Sequence, residues 1–231
     1  MGKKRGRLIV FEGADGSGKT TQAKLLFKHL KKQKIPTEYI SFPIYESTWG
    51  KLVRRYLDGE FGDVGDVSPY LACVFYAGDR LAVSKKISRW LSAGKVVVCD
   101  RYTGSNIAHQ AAKIKDPHST KVARGKQNER EKFVQWLEKF EYEINKIPRE
   151  DKVILLSVPV GFSQKLMRSK KKDIHERNKK YLSDVVRVYE ELEIKRSNWE
   201  KIECVEDGNL LSREEIHEKV SRSLDLKKDG P

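Results

Sequence analysis

The stretch "IVFEGADGSGKTTQ", residues 9–22, decides how the rest of the chain is read. It follows directly from Arg7 and Leu8, so that "RLIVFE" reads as a buried strand. From Lys19 onward, "KTTQAKLLFKHLKKQ" puts Ala23, Leu26, Phe27 and Leu30 on one helical stripe, with lysines gathered at its end. Between strand and helix, Gly13-Ala14-Asp15-Gly16-Ser17-Gly18-Lys19-Thr20 satisfies the spacing GxxxxGK[ST], with Thr21 next. The glycines let the backbone turn its N–H groups inward, and the helix amino terminus adds partial positive charge. Lys19 reaches the β and γ phosphates, and the Thr20 hydroxyl suits Mg²⁺. Pattern and context together predict a site for a nucleoside triphosphate along residues 13–21.

Such a loop serves GTPase switches, ATP motors and small-molecule kinases alike, so the choice comes from elsewhere in the chain. A guanine reader of the NKxD type is missing, since "NKKY" at 178–181 lacks the Asp, and there is no second large domain for a motor. Beyond the first helix, apolar runs and helical patterns alternate. Strands are expected at "TEYISF", "KVVVCD", "KVILLSV" and "EKIECV". Helices are expected over 49–59 and from Ser68-Pro69 to Gly94, then over 128–147, where Phe133, Trp136, Leu137, Phe140, Ile144 and Ile147 recur at steps of three and four. Two more follow, one around Tyr181, Val185, Val188 and Leu192, the other opened by the capping pair Ser212 and Glu215. This order predicts an α/β fold, one doubly wound domain over 1–231 with a parallel central sheet flanked by helices. Ligands in such folds sit beyond the carboxyl ends of the strands, where the loops 13–20 and 100–110 are expected to meet.

Composition narrows the partners. The chain has 231 residues, within the reach of one core, and a net charge of +14 from 47 Lys and Arg against 33 Asp and Glu. That surplus favours nucleotides, nucleic acid or anionic membrane, and does not choose among them. The three cysteines, Cys73, Cys99 and Cys204, lie far apart with no metal-ligand spacing, which reads as reduced thiols of a cytoplasmic protein. No apolar run approaches a bilayer span, and the basic stretch over residues 1–6 reads as a solvated tail.

"VVVCDRYTGSNIAHQ" ends a strand at Asp100, where a carboxylate can hold Mg²⁺ or its water, and then offers Arg101 to a phosphate. Ser105, Asn106, His109 and Gln110 follow, and an Asn or Gln amide can read the edge of a base. Tyr76 and Arg80, four apart on a helix, suit an aromatic stacking on a base with a cation at its rim. The run "KLMRSKKKDIHERNKK" is dense in cations. In a kinase, Arg168, Lys171 and Lys172 could close over the transferring phosphoryl group, making 164–180 a mobile basic lid.

As a set these residues resemble the thymidylate kinases. "FEGADGSGKTTQ", "SFP" at 41–43, "FYAGDR" at 75–80, "DRYTGSNIAHQ" at 100–110 and "KKDIHERNKKYL" look like that family's phosphate loop, second-strand motif, base-stacking helix, acceptor loop and lid, over about residues 7–222. The resemblance implies an ATP- and Mg²⁺-dependent transfer to dTMP by a homodimer joined through the helices around 47–92. It implies that Tyr76 stacks on thymine, Arg80 and Asn106 bond its polar edge, and Phe42, beside Pro43, walls the pocket. Arg101 then holds the acceptor phosphate and Arg168 lies against ATP. Asp15 binds near the acceptor sugar and phosphate, or Mg²⁺. Three positions depart from the family: the stacking ring is Tyr76 and not Phe, His109 stands where Tyr or Phe guards the sugar 2′ position, and Ile44-Tyr45 replaces an Arg after Phe42-Pro43, leaving Lys51, Arg54 or Arg55 to compensate. Two rival readings stay open: a kinase of another monophosphate such as dGMP or dUMP, and, from a different class, an ATP-gated nucleic-acid-binding protein.

Overall fold

A computed structural model describes residues 5–114, 129–159, 161–162, 174–175 and 178–225. The elements run β1 (Leu8–Glu12), α1 (Lys19–Lys32), β2 (Thr37–Ser41), α2 (Thr48–Leu57), α3 (Pro69–Ser92), β3 (Val96–Asp100), α4 (Thr103–Ala111) and α5 (Glu129–Glu138). A π-helical segment (Lys139–Ile144) continues α5, followed by β4 (Lys152–Ser157), α6 (Lys179–Lys195), β5 (Trp199–Glu203), the short β6 (Val205–Glu206) and β7 (Asn209–Leu210), and α7 (Arg213–Ser223). The main sheet has the order β2-β3-β1-β4-β5 with every pairing parallel. The inner strands β1, β3 and β4 are near-continuous apolar runs because both faces of the sheet are covered there, whereas the edge strands β2 and β5 carry charged residues such as Glu38, Glu200 and Lys201. On one face Leu8, Val10, Val97 and Cys99 pack with Ile87, Ile107, Phe133 and Val185 from the helices; on the other, Ile9, Phe11 and Ile154 meet Leu26, Leu30 and Val220.

Parallel register brings the carboxyl ends of the strands to one rim. Phe11 stands opposite Asp100, and Asp100 opposite Ser41. The helix starts follow local chemistry. Ser68 caps α3 by accepting from the Tyr70 N–H, with proline at the first turn, and Ser212 and Glu215 close a reciprocal capping box on α7.

Two expectations need correction. The segment 128–147 is not one α-helix: it passes into π-helix at Lys139, beyond which Ile144 leaves the expected stripe and is 62% exposed, while Glu141, four residues after Leu137, stays fully buried. The stretch 100–110 is not a loop, since it turns at Arg101 and Tyr102 and then forms α4. The antiparallel pair β6–β7 was not anticipated.

Candidate active site

The phosphate loop joins the end of β1 to α1. Gly13 sits at φ +143°, where a Cβ would come within 2.6 Å of the Leu156 carbonyl oxygen, and Gly18, at φ +87°, directly precedes the helix. Only glycine meets both demands. Lys19 is buried and lies back along the loop, its Nζ donating to the Ala14 carbonyl at 2.9 Å and standing 3.6 Å from Asp15 Oδ1. Burial pushes its pKa down to about 8, with Arg101 adding to the fall and Asp15, Asp100 and Glu12 opposing it. The buried Ser17 hydroxyl has no partner among the described residues.

One cleft of about 190 Å³ opens beside this loop. Its walls include Asp15, Phe42, Pro43, Tyr76, Arg80, Arg101, and a row from α4 made of Ser105, Asn106, His109 and Gln110. Every residue expected from the sequence at the acceptor side therefore faces a single space. The helical form of α4 explains the row, because steps of one, three and four bring these side chains to one flank.

Arg101 occupies the left-handed region at φ +64°, with its N–H bonded to the Phe11 carbonyl at 3.0 Å. Its guanidinium pairs with Asp15 and donates to Ser105 Oγ at 3.3 Å. Burial opposes the charge on Asp15, but Arg101 and Lys19 outweigh it and hold the carboxyl well below the usual range. The same pairing, against the pull of burial, raises the pKa of Arg101. Asp100 accepts from Ser41 Oγ at 3.3 Å through Oδ2, while its buried Oδ1 has no partner among the described residues. A bare carboxylate oxygen on Asp100 and an exposed hydroxyl on Thr20 are hard oxygen donors that fit Mg²⁺. Asp15 is already held between two cations.

His109 stacks on His175 with ring centroids 5.0 Å apart and planes 16° apart. The Tyr181 hydroxyl donates to the His109 carbonyl at 3.0 Å, and so accepts from Nδ1, also 3.0 Å away. Burial pushes the imidazole pKa down to about 3, Asp15 opposing and Arg101 and Lys19 adding to the fall, so the ring is neutral. Of the cations near the Ile44-Tyr45 departure, Arg54 lies over the Tyr45 ring at 3.9 Å, Arg55 pairs with Glu60 at 2.7 Å, and Lys51 is exposed. Arg168, Lys171 and Lys172 lie outside the described residues.

Several site residues were missed in the sequence. Glu12, fully buried at the end of β1, accepts from the N–H groups of Tyr102 and Ser105, both at 2.9 Å, and from Ser105 Oγ at 2.5 Å. Burial raises its pKa, though Ser105 and Arg101 pull the other way. A carboxylate ending a buried strand, one residue before the loop, was the available signal. Glu141 pairs with Arg80 and accepts from Asn106 Nδ2 at 3.0 Å. It continues the buried stripe of Phe133 and Leu137 at a step of four, an acid where the pattern calls for an apolar residue. His175, from the segment read as lid, also lines the cleft.

A parallel sheet with a phosphate loop at β1–α1, and beside that loop a cleft lined by aromatic, amide and cationic side chains, defines a P-loop kinase of small phosphorylated acceptors. Residues 11–124 match the protein family described as Thymidylate kinase. A probable thymidylate kinase of Pyrococcus horikoshii is 38% identical over 159 residues, covering 68% of this chain and 67% of that relative. The thymidylate kinase of Plasmodium falciparum is 35% identical over 112 residues, 48% of this chain and about half, 51%, of its own length. A solved thymidylate kinase structure from Candida albicans superposes with a TM-score of 0.73 over 96% of this chain and 92% of that one, at 23% identity, and so speaks for the fold. The chain belongs to the thymidylate kinase family.

Proposed function

We propose that this protein is a dTMP kinase, moving the γ-phosphoryl group of ATP onto the dTMP phosphate to give dTDP and ADP. The observation that carries the reading is the single cleft in which Tyr76, Arg80, Asn106 and Arg101 line up within reach of the phosphate loop. Tyr76 stacks on the base while Arg80 and Asn106 meet its polar edge. Arg101 holds the acceptor phosphate, and Phe42 with Pro43 walls the far side. The loop from Gly13 to Thr21 wraps the ATP phosphates, and Lys19 swings from the Ala14 carbonyl to the transferring group. No covalent enzyme intermediate is needed; catalysis is positioning plus neutralisation of charge on the equatorial oxygens. Thr20 and Asp100 hold Mg²⁺, which when bound neutralises phosphate charge. Arg168, Lys171 and Lys172 supply the closing cations from the segment 164–180.

Two wider assignments belong to the same reading. Trp49 on α2 and Tyr70, Leu71 and Leu81 on α3 are exposed, which supports a homodimer through the helices of residues 47–92. All three cysteines are free and buried, which supports a cytoplasmic setting.

The test is Mg²⁺-ATP consumption with product identification, offering dTMP, dUMP, dGMP, dCMP, dAMP and UMP separately beside a tube with no acceptor. Strong preference for dTMP with formation of dTDP is the expected result. Preference for another monophosphate overturns the base assignment and leaves the phosphate chemistry. If none stimulates turnover the kinase reading falls, and salt-sensitive binding of oligonucleotide by the basic surface takes its place.

A further inference from the structure

Arg80 and Asn106 both line the cleft, and both are held from behind by one carboxylate, Glu141, which is fully buried and outside the lining. Arg80 donates through Nε to Glu141 Oε2 at 3.1 Å, through Nη2 to Oε1, and through Nη1 to the Tyr102 carbonyl at 3.4 Å. Burial works against the guanidinium charge, and Glu141 more than restores it. A guanidinium has five N–H donors and no acceptor, so whatever Arg80 turns to the cleft is a donor.

Asn106 is constrained more tightly. Its Nδ2 donates to Glu141 Oε1 at 3.0 Å and to the Cys73 carbonyl at 3.1 Å. A carboxylate and a backbone carbonyl can only accept, so both amide hydrogens are committed and the amide cannot turn over. Its Oδ1 remains, buried and without a partner among the described residues, although the side chain is only 2% exposed. The edge presented to a ligand is therefore a donor from Arg80 beside an acceptor from Asn106. Gln110 makes an instructive contrast: neither atom of its amide has a partner among the described residues, so it is free to suit either polarity.

A base carrying a ring carbonyl next to a ring N–H complements this edge at both atoms. A base carrying an exocyclic amine next to a bare ring nitrogen opposes it at both, donor facing donor and acceptor facing acceptor, inside a buried site. We propose that Glu141 is a specificity-determining positioning residue: it fixes the polarity of the base-reading pair, so that the cleft selects a 4-oxo, N3–H pyrimidine monophosphate against its 4-amino counterpart. The proposal rests on the reading of this cleft as the acceptor site.

The experiment compares the unmodified protein with Glu141→Gln and Glu141→Asp, measuring kcat and KM for dTMP and dCMP at saturating Mg²⁺-ATP, KM for ATP, and thermal melting. The unmodified protein is expected to favour dTMP over dCMP by ~10³-fold or more in kcat/KM, and to lose about 10²-fold on 3-methyl-dTMP, which lacks the N3–H. Glu141→Gln introduces a donor where the carboxylate accepts and releases the Asn106 amide. The dTMP to dCMP ratio should drop at least ~10-fold, carried by KM for dTMP, with KM for ATP unmoved. Glu141→Asp keeps an acceptor-only partner, so the ratio should hold even where both KM values rise. Equal losses on dTMP and dCMP in Glu141→Gln would make Glu141 merely structural and overturn the proposal. If Glu141→Gln does not fold, the test passes to Glu141→Asp together with 3-methyl-dTMP. A ratio that holds, with 3-methyl-dTMP rejected, upholds the proposal; a collapsed ratio or an accepted 3-methyl-dTMP overturns it. Unmodified protein that accepts no monophosphate removes the acceptor site itself, whereas one that takes dTMP and dCMP alike removes only the polarity argument.

Discussion

At the scale of single residues, the site works through groups whose charge is decided by neighbours. Lys19 lies buried along its own loop at 2.9 Å from the Ala14 carbonyl, a contact that a phosphate can replace with little rearrangement. Lys19→Ala should lower kcat by about 10²- to 10³-fold or more while the melting transition stays cooperative, and near-normal turnover would remove the role assigned to it. His109 gives a pH signature. An unfolded histidine takes up its proton near 6.5, whereas folded His109 does so only near pH 3. Between those values the unfolded state binds more protons, so stability is complete above about pH 6.5 and is lost as pH falls toward 3, by up to ~1.4 kcal/mol per pH unit. His175 is shifted in the same direction by burial and by His109. Urea titrations across this window should show a shallower acid slope for His109→Gln, and an unchanged slope would mean the ring is not the group that titrates.

At the scale of elements, the acceptor wall depends on how α2 enters. Ser47 caps α2 by accepting from the Gly50 N–H at 2.8 Å, and donates to Asp79 Oδ1 at 2.7 Å. Asp79, buried in α3, also accepts from the Ile44 N–H at 2.7 Å. One carboxylate thus ties the turn after Phe42-Pro43 to the helix that carries Tyr76 and Arg80. Gly50 lets α2 lie against that turn: a Cβ there would stand 1.8 Å from the Ile44 carbonyl oxygen. Gly50→Ala gains ~1 kcal/mol of helix propensity but forces backbone apart at a cost of ~1–3 kcal/mol. Net destabilisation and a raised KM for the acceptor are expected, since Tyr45, next to Ile44, lines the cleft. Chemical denaturation and initial-rate kinetics on the same variant check both halves.

At the scale of the whole molecule, the two nucleotide sites proposed on one rim of the sheet imply that ligands would hold the flanking helices together. A ligand at about 100 times its Kd adds ~2.7 kcal/mol, which for a chain of this size corresponds to roughly 5–11 °C in Tm. ATP with Mg²⁺ and dTMP should each raise the melting temperature. Lys19→Ala should erase most of the ATP shift and spare that of dTMP; loss of both shifts would place Lys19 among the structural residues. The charge of +14 is spread over many exposed lysines, several of them in surface ion pairs that contribute little each. Affinity for anions is therefore expected to fall with salt at the surface and far less within the cleft.

How much of this was legible in the chain divides along physical lines. The phosphate loop, the parallel α/β order, the Ser68-Pro69 start of α3 and the capping box of α7 could be read directly, because each is set by residues within one or two turns of one another. The β6–β7 hairpin was legible too and passed over: Asp207-Gly208, with φ of +47° and +75°, is a strong two-residue hairpin signal. The row along α4 was seen as a set of residues but not as a helix, since its side chains are polar and its burial comes from neighbours. What only the tertiary structure decided is pairing between distant segments. Arg80 meets Glu141 because the buried stripe that continues α5 comes to lie against α3, and Arg101 meets Asp15 because β3 lies beside β1. A sequence states that a charge is present; whether it is buried, and against which opposite charge, depends on which strands and helices become neighbours, and no local spacing encodes that.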